Sequence, residues 1–336
     1  MPNRGFTQIG AQHNVKFWFS KAQVGCDQPA TQEVSSPPAA QRIVSIAAMM
    51  LNALSVIGFN IGNAVCAKSK CFKRQILVFR KLFPRKNVAQ PTVRHTRFDG
   101  GAPTPQDPLC VIGDIHGQID CLDSLLAKIT QNFGSSRLVF VGDYIDRGDH
   151  SAQVLSRLFE LSKSKPETIF LMGNHEEMML SFLKDPVRSG NRWMRYGGLQ
   201  TMASFGAFRL VERNTPEALI AARDGLQKAL PTGLEDWLSG LPRFWQSGNV
   251  AVVHAGADPE KSIDGQDPKT LTWGHSHFGK QARTDGVWVA HGHTIVDMPQ
   301  ETNGVISVDT GAYATGRLTA AHILSGTVEF VQGLSK

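Results

Sequence analysis

The chain has 336 residues, of which 41% are hydrophobic, so it is long enough and apolar enough to fold around a large core. Its net charge of +6 is unevenly distributed: residues 1–95 hold 13 Lys and Arg against 2 Asp and Glu, and the remainder holds 22 against 27. The larger part of the chain is therefore acidic, which argues against a basic nucleic-acid-binding face there.

The first predicted unit is a basic extension, residues 1–95. Residues 1–42 lack periodicity and are rich in Gln, Ser, Pro and Ala, which predicts disorder. Residues 43–65 carry no charge and are long enough to cross a bilayer, although three asparagines among them make a span costly. The basic stretch that follows would keep the rest of the chain in the cytoplasm.

Three interpretations of this extension remain open from the sequence. It is a membrane anchor that contacts anionic lipid through residues 43–86, a disordered segment with a chance apolar run, or a translated leader outside the native protein. The five cysteines form no C-x-x-C pair, and none lies beyond residue 121, which favours a reducing compartment. We therefore expect a cytoplasmic protein, which is membrane-associated only if the extension acts as an anchor.

The second predicted unit is one domain of strands and helices, residues 100–333. Short runs rich in Val and Ile have the length of buried strands: LCVIG, LVFVG, TIFLMG, VAVVH, VWVAH and VISVD. Between the first three runs, IDCLDSLLAKI and SAQVLSRLFELSK repeat apolar residues at helical spacing. Strands that alternate with helices in this way predict an α/β fold with a parallel sheet.

Polar residues follow the first three strands. The runs end in GDIHG with Asp114 and His116, in GDYIDRG with Asp143, and in GNHE with Asn174. The 29 residues from Asp114 to Asp143 and the 31 from Asp143 to Asn174 each match one strand–helix–strand unit. The carboxyl ends of these strands should therefore meet at one crevice, where open α/β sheets bind ligands.

A pair of metal ions would neutralise the charge at this crevice. One such strand end means little by itself, but two later strands add imidazoles to the same edge, and together they predict a metal site. Carboxylate, amide and imidazole groups suit manganese, iron or zinc, and two ions about 3.5–4 Å apart can clamp a phosphoryl group. Asp143, in the middle motif, is the candidate to bridge two ions. The candidate ligands are Asp114, His116, Asp143, Asn174, His254 and His293.

The motifs GDIHG, GDYIDRG, GNHE, HAG and HGHT, in this order and at this spacing, resemble those of the phosphoprotein phosphatase family of calcineurin-like metallophosphoesterases. The resemblance spans about residues 108–325. It implies the calcineurin-like fold, in which two mixed β-sheets are sandwiched between helices, with a helical cap insertion. The stretches RYGGLQTMASFG and DTGAYATGRLTA resemble compact bacterial members, which include serine/threonine phosphatases and symmetrical bis(nucleosyl)tetraphosphatases.

The resemblance also implies a role for each site residue. His175 and Asp146 would form a proton-donating dyad, and Arg147 would bind phosphate oxygens, although a structural histidine and a local ion pair are the alternatives. The expected cofactors are two divalent metal ions, with manganese favoured and iron or zinc as alternatives. One ion would be held by Asp114, His116 and Asp143, and the other by Asp143, Asn174, His254 and His293.

The sequence departs from the family between the HAG and HGHT motifs. Bacterial members carry arginines there in a W-x-R-x-R pattern, whereas this chain has His275 and His277. Histidine is mostly neutral near pH 7 and donates to phosphate less reliably than arginine, which predicts a weaker phosphate contact unless Arg283 replaces it. The two histidines are explained equally well as surface residues.

The long insertion between the GNHE and HAG motifs is predicted to form a substrate cap beside the crevice. Arg192 and Arg195 within it are candidates to contact phosphate or a base, although ordinary surface arginines are at least as good an explanation. Trp237, Leu238 and Trp245 are predicted to pack in the core instead of binding a ligand.

Three functions remain open from the sequence. The leading one is hydrolysis of phosphoserine and phosphothreonine in proteins by direct attack of a metal-bridging hydroxide. The alternative is a symmetrical bis(nucleosyl)tetraphosphatase that uses the same two metals. An inactive phosphate-binding scaffold is disfavoured because every expected metal ligand is present. The expected partner is thus a phosphoprotein substrate or a dinucleoside polyphosphate, not a nucleic acid, and no pattern indicates the oligomeric state.

Overall fold

The computed structural model of the protein describes residues 97–207 and 215–335. The predictions for residues 1–95, namely the disordered basic extension and its apolar segment 43–65, lie outside these ranges. Within the two described ranges, no helix combines the length and the apolar composition that a membrane span requires.

The first of two mixed sheets carries the three strands that the sequence analysis placed in parallel. Its strands are β1 (Leu109–Ile112), β2 (Arg137–Phe140), β3 (Ile169–Phe170), β9 (Arg317–Leu324) and β10 (Thr327–Leu334). They lie in the order β10-β9-β1-β2-β3, with β1, β2 and β3 parallel. β9 pairs antiparallel with both β1 and β10, so the sheet is mixed.

The second sheet is also mixed. Its strands are β4 (Phe244–Ser247), β5 (Val250–Val253), β6 (Trp288–His291), β7 (Gln300–Thr302) and β8 (Val305–Ser307). They lie in the order β4-β5-β6-β8-β7, with β5, β6 and β8 parallel and an antiparallel strand at each edge. The parallel centre directs the carboxyl ends of β5 and β6 to one edge of the sheet.

Two amphipathic helices connect the parallel strands of the first sheet, as the sequence predicted. They are α1 (Ile119–Phe133) and α2 (Ser151–Ser164). On α1 the apolar residues at helical spacing, including Leu122 and Leu125, are buried, and on α2 Val154 and Leu158 are buried. The predicted strand–helix–strand units are therefore confirmed.

The insertion after β3 is helical where the structure describes it. It contains α3 (Asn174–Lys184), α4 (Pro186–Trp193), a π-helical turn (Met194–Gly198), α5 (Leu199–Ser204), α6 (Pro216–Ala229) and α7 (Leu234–Ser239). Two short helices, α8 (Pro268–Trp273) and α9 (Ala312–Thr315), follow later in the chain.

The hydrophobic core has layers that match a sandwich. Val111 and Val139 of the first sheet pack in one cluster with Val252 and Ala290 of the second, so the sheets face each other. The opposite face of the first sheet packs against α1, α2 and α3 in a larger cluster. Strands that are covered on both faces are continuously apolar, which is why β1 and β5 read as unbroken hydrophobic runs. The expected fold, two mixed sheets sandwiched between helices, is confirmed.

Three apolar residues of the insertion and its exit strand pack as predicted. Leu238 is fully buried, and Trp237 is partly buried against the same cluster, which lies beneath the helices. Trp245 packs against the cluster between the sheets. The sequence prediction that these side chains serve the core is confirmed.

Candidate active site

Five strand ends bring the predicted site residues together at one edge of the molecule. The loop after β1 carries two of them, the loop after β2 three, the turn from β3 into α3 two, and the ends of β5 and β6 one each. In the same order they are Asp114 and His116; Asp143, Asp146 and Arg147; Asn174 and His175; His254; and His293. Seven of the nine are buried, and Arg147 and His293 are partly exposed.

The backbone at this edge is strained. Within the described ranges six residues other than glycine have a positive φ, and five of them belong to the site. Each such conformation costs about 1–3 kcal/mol and persists only where surrounding structure enforces it. The five are His116 (46°), Asp143 (53°), Asp146 (71°), Arg147 (66°) and His293 (64°). The surrounding fold therefore holds the backbone in an unfavourable conformation that directs these side chains into the site.

Asp143 lies at the centre of the cluster. Its Oδ2 atom is 3.7 Å from Nε2 of His116, and its Oδ1 atom is 3.4 Å from Nε2 of His254. Oδ1 of Asn174 lies 2.9 Å from both Nε2 of His254 and Nδ1 of His293. Two ligands that each lie about 2.0–2.2 Å from a shared ion are separated by distances of this size.

Asp143 belongs to two groups of side chains that could each hold a metal ion. Their ligand atoms lie within 4.8 Å of one another: Asp143 with His254 and His293, and Asp143 with His116 and His175. The position of Asp143 in both groups is the one that a bridging carboxylate requires. Asp114 lies beside the second-sheet histidines, since both of its carboxylate oxygens accept the backbone N–H of His293, at 3.0 and 3.1 Å.

The tautomers of two histidines are fixed by backbone carbonyls. Nδ1 of His116 lies 2.7 Å from the carbonyl oxygen of Ile145, and Nδ1 of His254 lies 3.0 Å from that of Val141. A carbonyl can only accept, so each Nδ1 must donate its proton. In the neutral form of each ring, Nε2 is then the unprotonated nitrogen, and it faces Asp143. Metal-binding histidines are typically held in this way by a hydrogen bond at the other nitrogen.

Buried carboxylates face one another at the site. Burial raises the pKa of Asp114 well above its usual range, and the charges of Asp309 and Asp143 raise it further. Burial also opposes ionisation of Asp143, but the charges of His254 and His175 outweigh it and hold the pKa of Asp143 well below its usual value. Cations at this point would stabilise the ionised form of all three carboxylates.

The histidines around Asp143 differ in how readily they become charged. Burial lowers the pKa of His116 to about 3 and the pKa of His293 to about 4, so both rings are neutral near pH 7. Burial also opposes the charging of His254, but the charge of Asp143 outweighs it and raises the pKa of His254. Neutral imidazole is the form that binds a metal. A bound cation would displace the proton that Asp143 favours on His254, and the buried carboxylates, the amide and the imidazoles then fit the dinuclear metal site that calcineurin-like metallophosphoesterases use.

His175 and Asp146 form the pair that the resemblance implied. Nδ1 of His175 lies 2.6 Å from Oδ2 of Asp146. Asp146 also accepts the indole N–H of Trp193, at 2.9 Å, and the hydroxyl of Thr201, at 2.7 Å. Burial favours the neutral form of His175, but the charge of Asp143 and the hydrogen bond to Asp146 outweigh it, so the pKa of His175 is raised. Burial raises the pKa of Asp146 as well, so the two side chains share a proton across this short contact.

Arg147 lies over this pair at the mouth of the site. Its Nη2 atom is 3.2 Å from Nε2 of His175, and its guanidinium lies 4.8 Å from the ring centre of Tyr313. Tyr313 also meets the ring of His116 edge to face, with 5.4 Å between centroids. A planar guanidinium over an aromatic ring is held in orientation while its other N–H groups can bind an oxyanion.

Glu176 fixes the loop that carries Asp143. Its carboxylate accepts the backbone N–H of Asp143 and of Tyr144, each at 2.8 Å, and that of Gly173 at 3.1 Å. A Cβ on Gly173 would lie 2.2 Å from Oδ1 of Asp143, and a Cβ on Gly292 would clash with Asp114. The β2 and β3 loops approach closely at Gly173, and the β1 and β6 loops approach closely at Gly292, so only glycine fits at these two turns.

Several residues that shape the site were assigned no role from the sequence. Asp309 follows the strand run VISVD, so it is a further strand-end carboxylate, and that pattern could have identified it. Tyr313, four residues later, carried no such signal. Trp193 and Thr201 lie on α4 and α5 in the insertion, and their contacts with Asp146 depend on how those helices pack.

The expectations about the segment after HAG are only partly met. His275 faces Asp258, with 4.0 Å between Nε2 and Oδ2, and His277 is exposed and packs edge to face on His275. Arg283 was left open from the sequence as a substitute for the missing arginines. Arg283 is buried and donates to the carboxylate of Asp285 and to backbone carbonyls, because it anchors its own loop.

The comparisons with known proteins cover the part of the chain that carries the site. The sequence profile described as calcineurin-like phosphoesterase matches residues 108–297. The asymmetrical bis(5′-nucleosyl)-tetraphosphatase PrpE of Oceanobacillus iheyensis is 29% identical over 233 residues, which cover 62% of this chain and 86% of that protein. PrpE of Bacillus thuringiensis (strain Al Hakam), also named as asymmetrical, is 30% identical over 233 residues, which cover 62% of this chain and 88% of the relative.

Among solved structures, the cold-active protein-tyrosine phosphatase of a psychrophilic Shewanella species is similar to 67% of this chain and 80% of its own. The sequence identity is 20% and the TM-score is 0.45.

Proposed function

The chain belongs to the calcineurin-like phosphoesterase family, and we propose that it hydrolyses bis(5′-nucleosyl) tetraphosphates with two divalent metal ions. The observation that carries the proposal is the match, over 233 residues, to relatives that are named for asymmetrical cleavage of this substrate class. The match favours the dinucleotide alternative over the phosphoprotein reaction that the sequence analysis placed first. It also favours asymmetrical over symmetrical cleavage.

The ligand assignment from the motifs is part of this proposal. Asp143 would be shared between the two ions, in line with its contacts to His116 on one side and His254 on the other. When bound, the ions activate water and polarise the phosphoryl oxygens. Manganese is the metal we propose, since mixed oxygen and imidazole ligands suit it.

His175 is the proposed proton donor. Asp146 holds Nδ1, which leaves Nε2 facing the partly exposed mouth of the site beside Arg147. As the phosphorus–oxygen bond to the leaving group breaks, a proton on Nε2 would pass to the departing oxygen. Proton donation of this kind contributes about 10²–10⁴-fold to a rate. The raised pKa of His175 keeps the ring charged at a higher pH than an exposed histidine.

Arg147 is proposed to bind the oxygens of the reacting phosphoryl group. In the structure its Nη2 donates to Nε2 of His175, which requires that this nitrogen carry no proton. A bound phosphoryl group would draw the guanidinium towards its oxygens and free Nε2 to be protonated. Tyr313 would keep the guanidinium plane in place during this exchange, because it stacks on the same group.

The test is a side-by-side assay of the full chain supplied with manganese. Diadenosine tetraphosphate and a phosphoserine peptide are offered separately, and the products are resolved by chromatography. We expect ATP and AMP from the dinucleotide, with kcat/KM at least about 10²-fold higher than for the peptide. Asp143→Asn, prepared in the same way, is the control for contaminating phosphatases.

Two results would contradict the proposal in different ways. Two molecules of ADP per dinucleotide would show symmetrical cleavage, the alternative that the motifs left open. Faster turnover of the peptide than of the dinucleotide would support the protein phosphatase function instead. Either outcome leaves the family and the proposed metal ligands untouched.

A further inference from the structure

A cavity of about 540 Å³ lies against α3, α4 and α8. Its size falls within the range of roughly 300–1,000 Å³ that is typical of small-molecule sites. The side chains that matter for its chemistry are Met178, Arg188, Arg192, Lys269 and Trp273. None of these residues belongs to the proposed metal or proton-donating groups.

The cavity carries unbalanced positive charge. Its one glutamate, Glu177, is already engaged by Arg243, whose Nη2 lies 2.9 Å from Oε1, and by the indole N–H of Trp273, 2.9 Å from Oε2. Asp267 accepts the backbone N–H of Lys269 at the start of α8. Within the residues that the structure describes, Arg188, Arg192 and Lys269 form no ion pair with a carboxylate.

The cavity also has an aromatic wall that is fixed in position. The indole of Trp273 is anchored by its hydrogen bond to Glu177, and the guanidinium of Arg192 lies 4.6 Å from the centre of its ring. Cations beside a rigid aromatic ring and an apolar Met178 suit a ligand that has both an anionic and a planar part. A nucleotide has this composition.

The cavity is connected to the reacting centre through α3. Asn174, Met178 and Ser181 are spaced four and three residues apart, so they lie along one face of that helix. At a rise of 1.5 Å per residue, the cavity residues Met178 and Ser181 lie roughly 6 and 10 Å beyond Asn174. On the other side, Arg192 directly precedes Trp193, which donates to Asp146. The second nucleotide of a dinucleotide anchored at the metals is therefore within reach of the cavity.

We propose that this cavity binds the part of the dinucleotide that is not being attacked, namely its distal nucleotide. Arg188, Arg192 and Lys269 contact the phosphates, and the wall formed by Trp273 contacts the base. This inference rests on the proposed function, and it explains how a site that reacts with one phosphoryl group would prefer a long dinucleotide to a small phosphate ester. It adds a specificity site that the metal-binding motifs do not contain.

The test uses full-length protein with manganese and the double variant R192A/K269A, in which both changed side chains are exposed. ADP is titrated calorimetrically, and turnover is measured with diadenosine tetraphosphate and with p-nitrophenyl phosphate. We expect the variant to bind ADP at least about 10-fold more weakly, as the loss of charge-assisted contacts implies, and to raise the KM for the dinucleotide similarly. Turnover of p-nitrophenyl phosphate and its inhibition by inorganic phosphate should not change.

The matched control is R157A/K163A, which removes two exposed cations from α2, away from the cavity. This control should behave as wild type in every assay. If it lost as much ADP affinity as R192A/K269A, the effect would be one of general charge, and the inference would be overturned. Unchanged ADP affinity in R192A/K269A would also overturn it. If wild-type protein cleaves p-nitrophenyl phosphate but not the dinucleotide, the proposed function fails, and the ADP titration still decides whether the cavity binds nucleotides.

Discussion

Nδ1 of His175 lies 2.6 Å from Oδ2 of Asp146, and both side chains are buried. The carboxylate is held in place by donors from elsewhere in the fold, the indole of Trp193 and the hydroxyl of Thr201. The imidazole is therefore oriented by a network that reaches into the helical insertion. This network links the helical insertion to the His175–Asp146 pair.

The first prediction concerns the role of His175. His175→Asn removes the group that can hold a proton, and we expect it to lower kcat by about 10²–10⁴-fold on substrates with poor leaving groups. The loss should be larger for a phosphoserine peptide than for p-nitrophenyl phosphate, whose leaving group needs little protonation. Kinetics with the two substrates measure the difference.

Metal content separates this role from its alternative. His175 also lies in a cluster with His116 and Asp143 that could hold a metal ion. We expect His175→Asn to keep the metal stoichiometry of the wild type, measured by elemental analysis after reconstitution. Loss of one ion per chain in this variant would reassign His175 as a ligand.

The second prediction tests the network behind the dyad. Trp193→Phe keeps the buried ring but removes the N–H that donates to Asp146. A hydrogen bond to a charged group contributes about 1.5–3 kcal/mol, so we expect kcat to fall by about 10–100-fold and the pH profile of kcat to shift. The KM for p-nitrophenyl phosphate should change little.

Trp237→Phe is the matched control for this change. Trp237 packs against Phe159 and Phe170 in the core beneath the helices, not against Asp146. The control should lose some thermal stability while keeping the kcat and the pH profile of the wild type. Equal profiles for both variants would mean that Trp193 acts through packing alone.

The sequence predicted the parallel strands better than the antiparallel ones. The three parallel strands and both crossover helices have strong apolar periodicity and were identified in chain order. The edge strands β4 and β7 were not, because FWQS is only partly buried and QET is fully exposed, so neither has a burial pattern to recognise. They are strands because a neighbouring strand supplies hydrogen bonds.

The candidate site was likewise predicted only in part. Asp114, Asp143 and Asn174 follow strands at fixed spacing, so position in the chain was enough to bring them together. The partners of Asp146 are a different case, since Trp193 and Thr201 are 47 and 55 residues away in sequence. Their meeting depends on the packing of α4 and α5, which local patterns do not encode.

The third prediction concerns metal binding. Asp143→Asn removes one negative charge from the carboxylate that lies within reach of His116 and His254. We expect the variant to lose metal and activity together, measured by elemental analysis and by turnover of p-nitrophenyl phosphate. Full metal content in an inactive Asp143→Asn protein would contradict the shared-ligand assignment.

The fourth prediction concerns the close approach of the β2 and β3 loops. Gly173 has a φ of −90°, so Gly173→Ala introduces no backbone strain, but its Cβ would lie 2.2 Å from Oδ1 of Asp143. Overpacking typically costs about 1–3 kcal/mol, and we expect that loss of unfolding free energy together with weaker metal binding.

Gly240→Ala is the control for the same chemical change. Gly240 has a φ of −85°, and the nearest atom to an added Cβ, the carbonyl oxygen of Asp236, would lie 3.5 Å away in ordinary contact. We expect its stability to stay within about 0.5 kcal/mol of the wild type. Denaturant unfolding of both variants checks the pair, and equal stabilities would refute the steric argument.

The last prediction is a pH dependence away from the site. His322 on β9 is buried, stacks on Phe133 with 4.0 Å between ring centres, and lies 3.1 Å from the hydroxyl of Ser136. Burial lowers the pKa of His322 below its usual 6.5, although the charge of Glu329 opposes the shift. The unfolded chain therefore binds this proton more readily than the folded one.

The sign of the effect follows from that difference. Above about pH 6.5 the ring is neutral in both the folded and the unfolded state, so its burial does not reduce the free energy of unfolding. As the pH falls below this value, the unfolded state takes up the proton first, and the free energy of unfolding decreases. His322→Gln cannot titrate, so its denaturant midpoint should fall less steeply than that of the wild type between about pH 7 and 5. His150→Gln, at an exposed position on the surface, should retain the wild-type slope. Parallel curves for wild type and His322→Gln would show that burial of this ring does not couple folding to protonation.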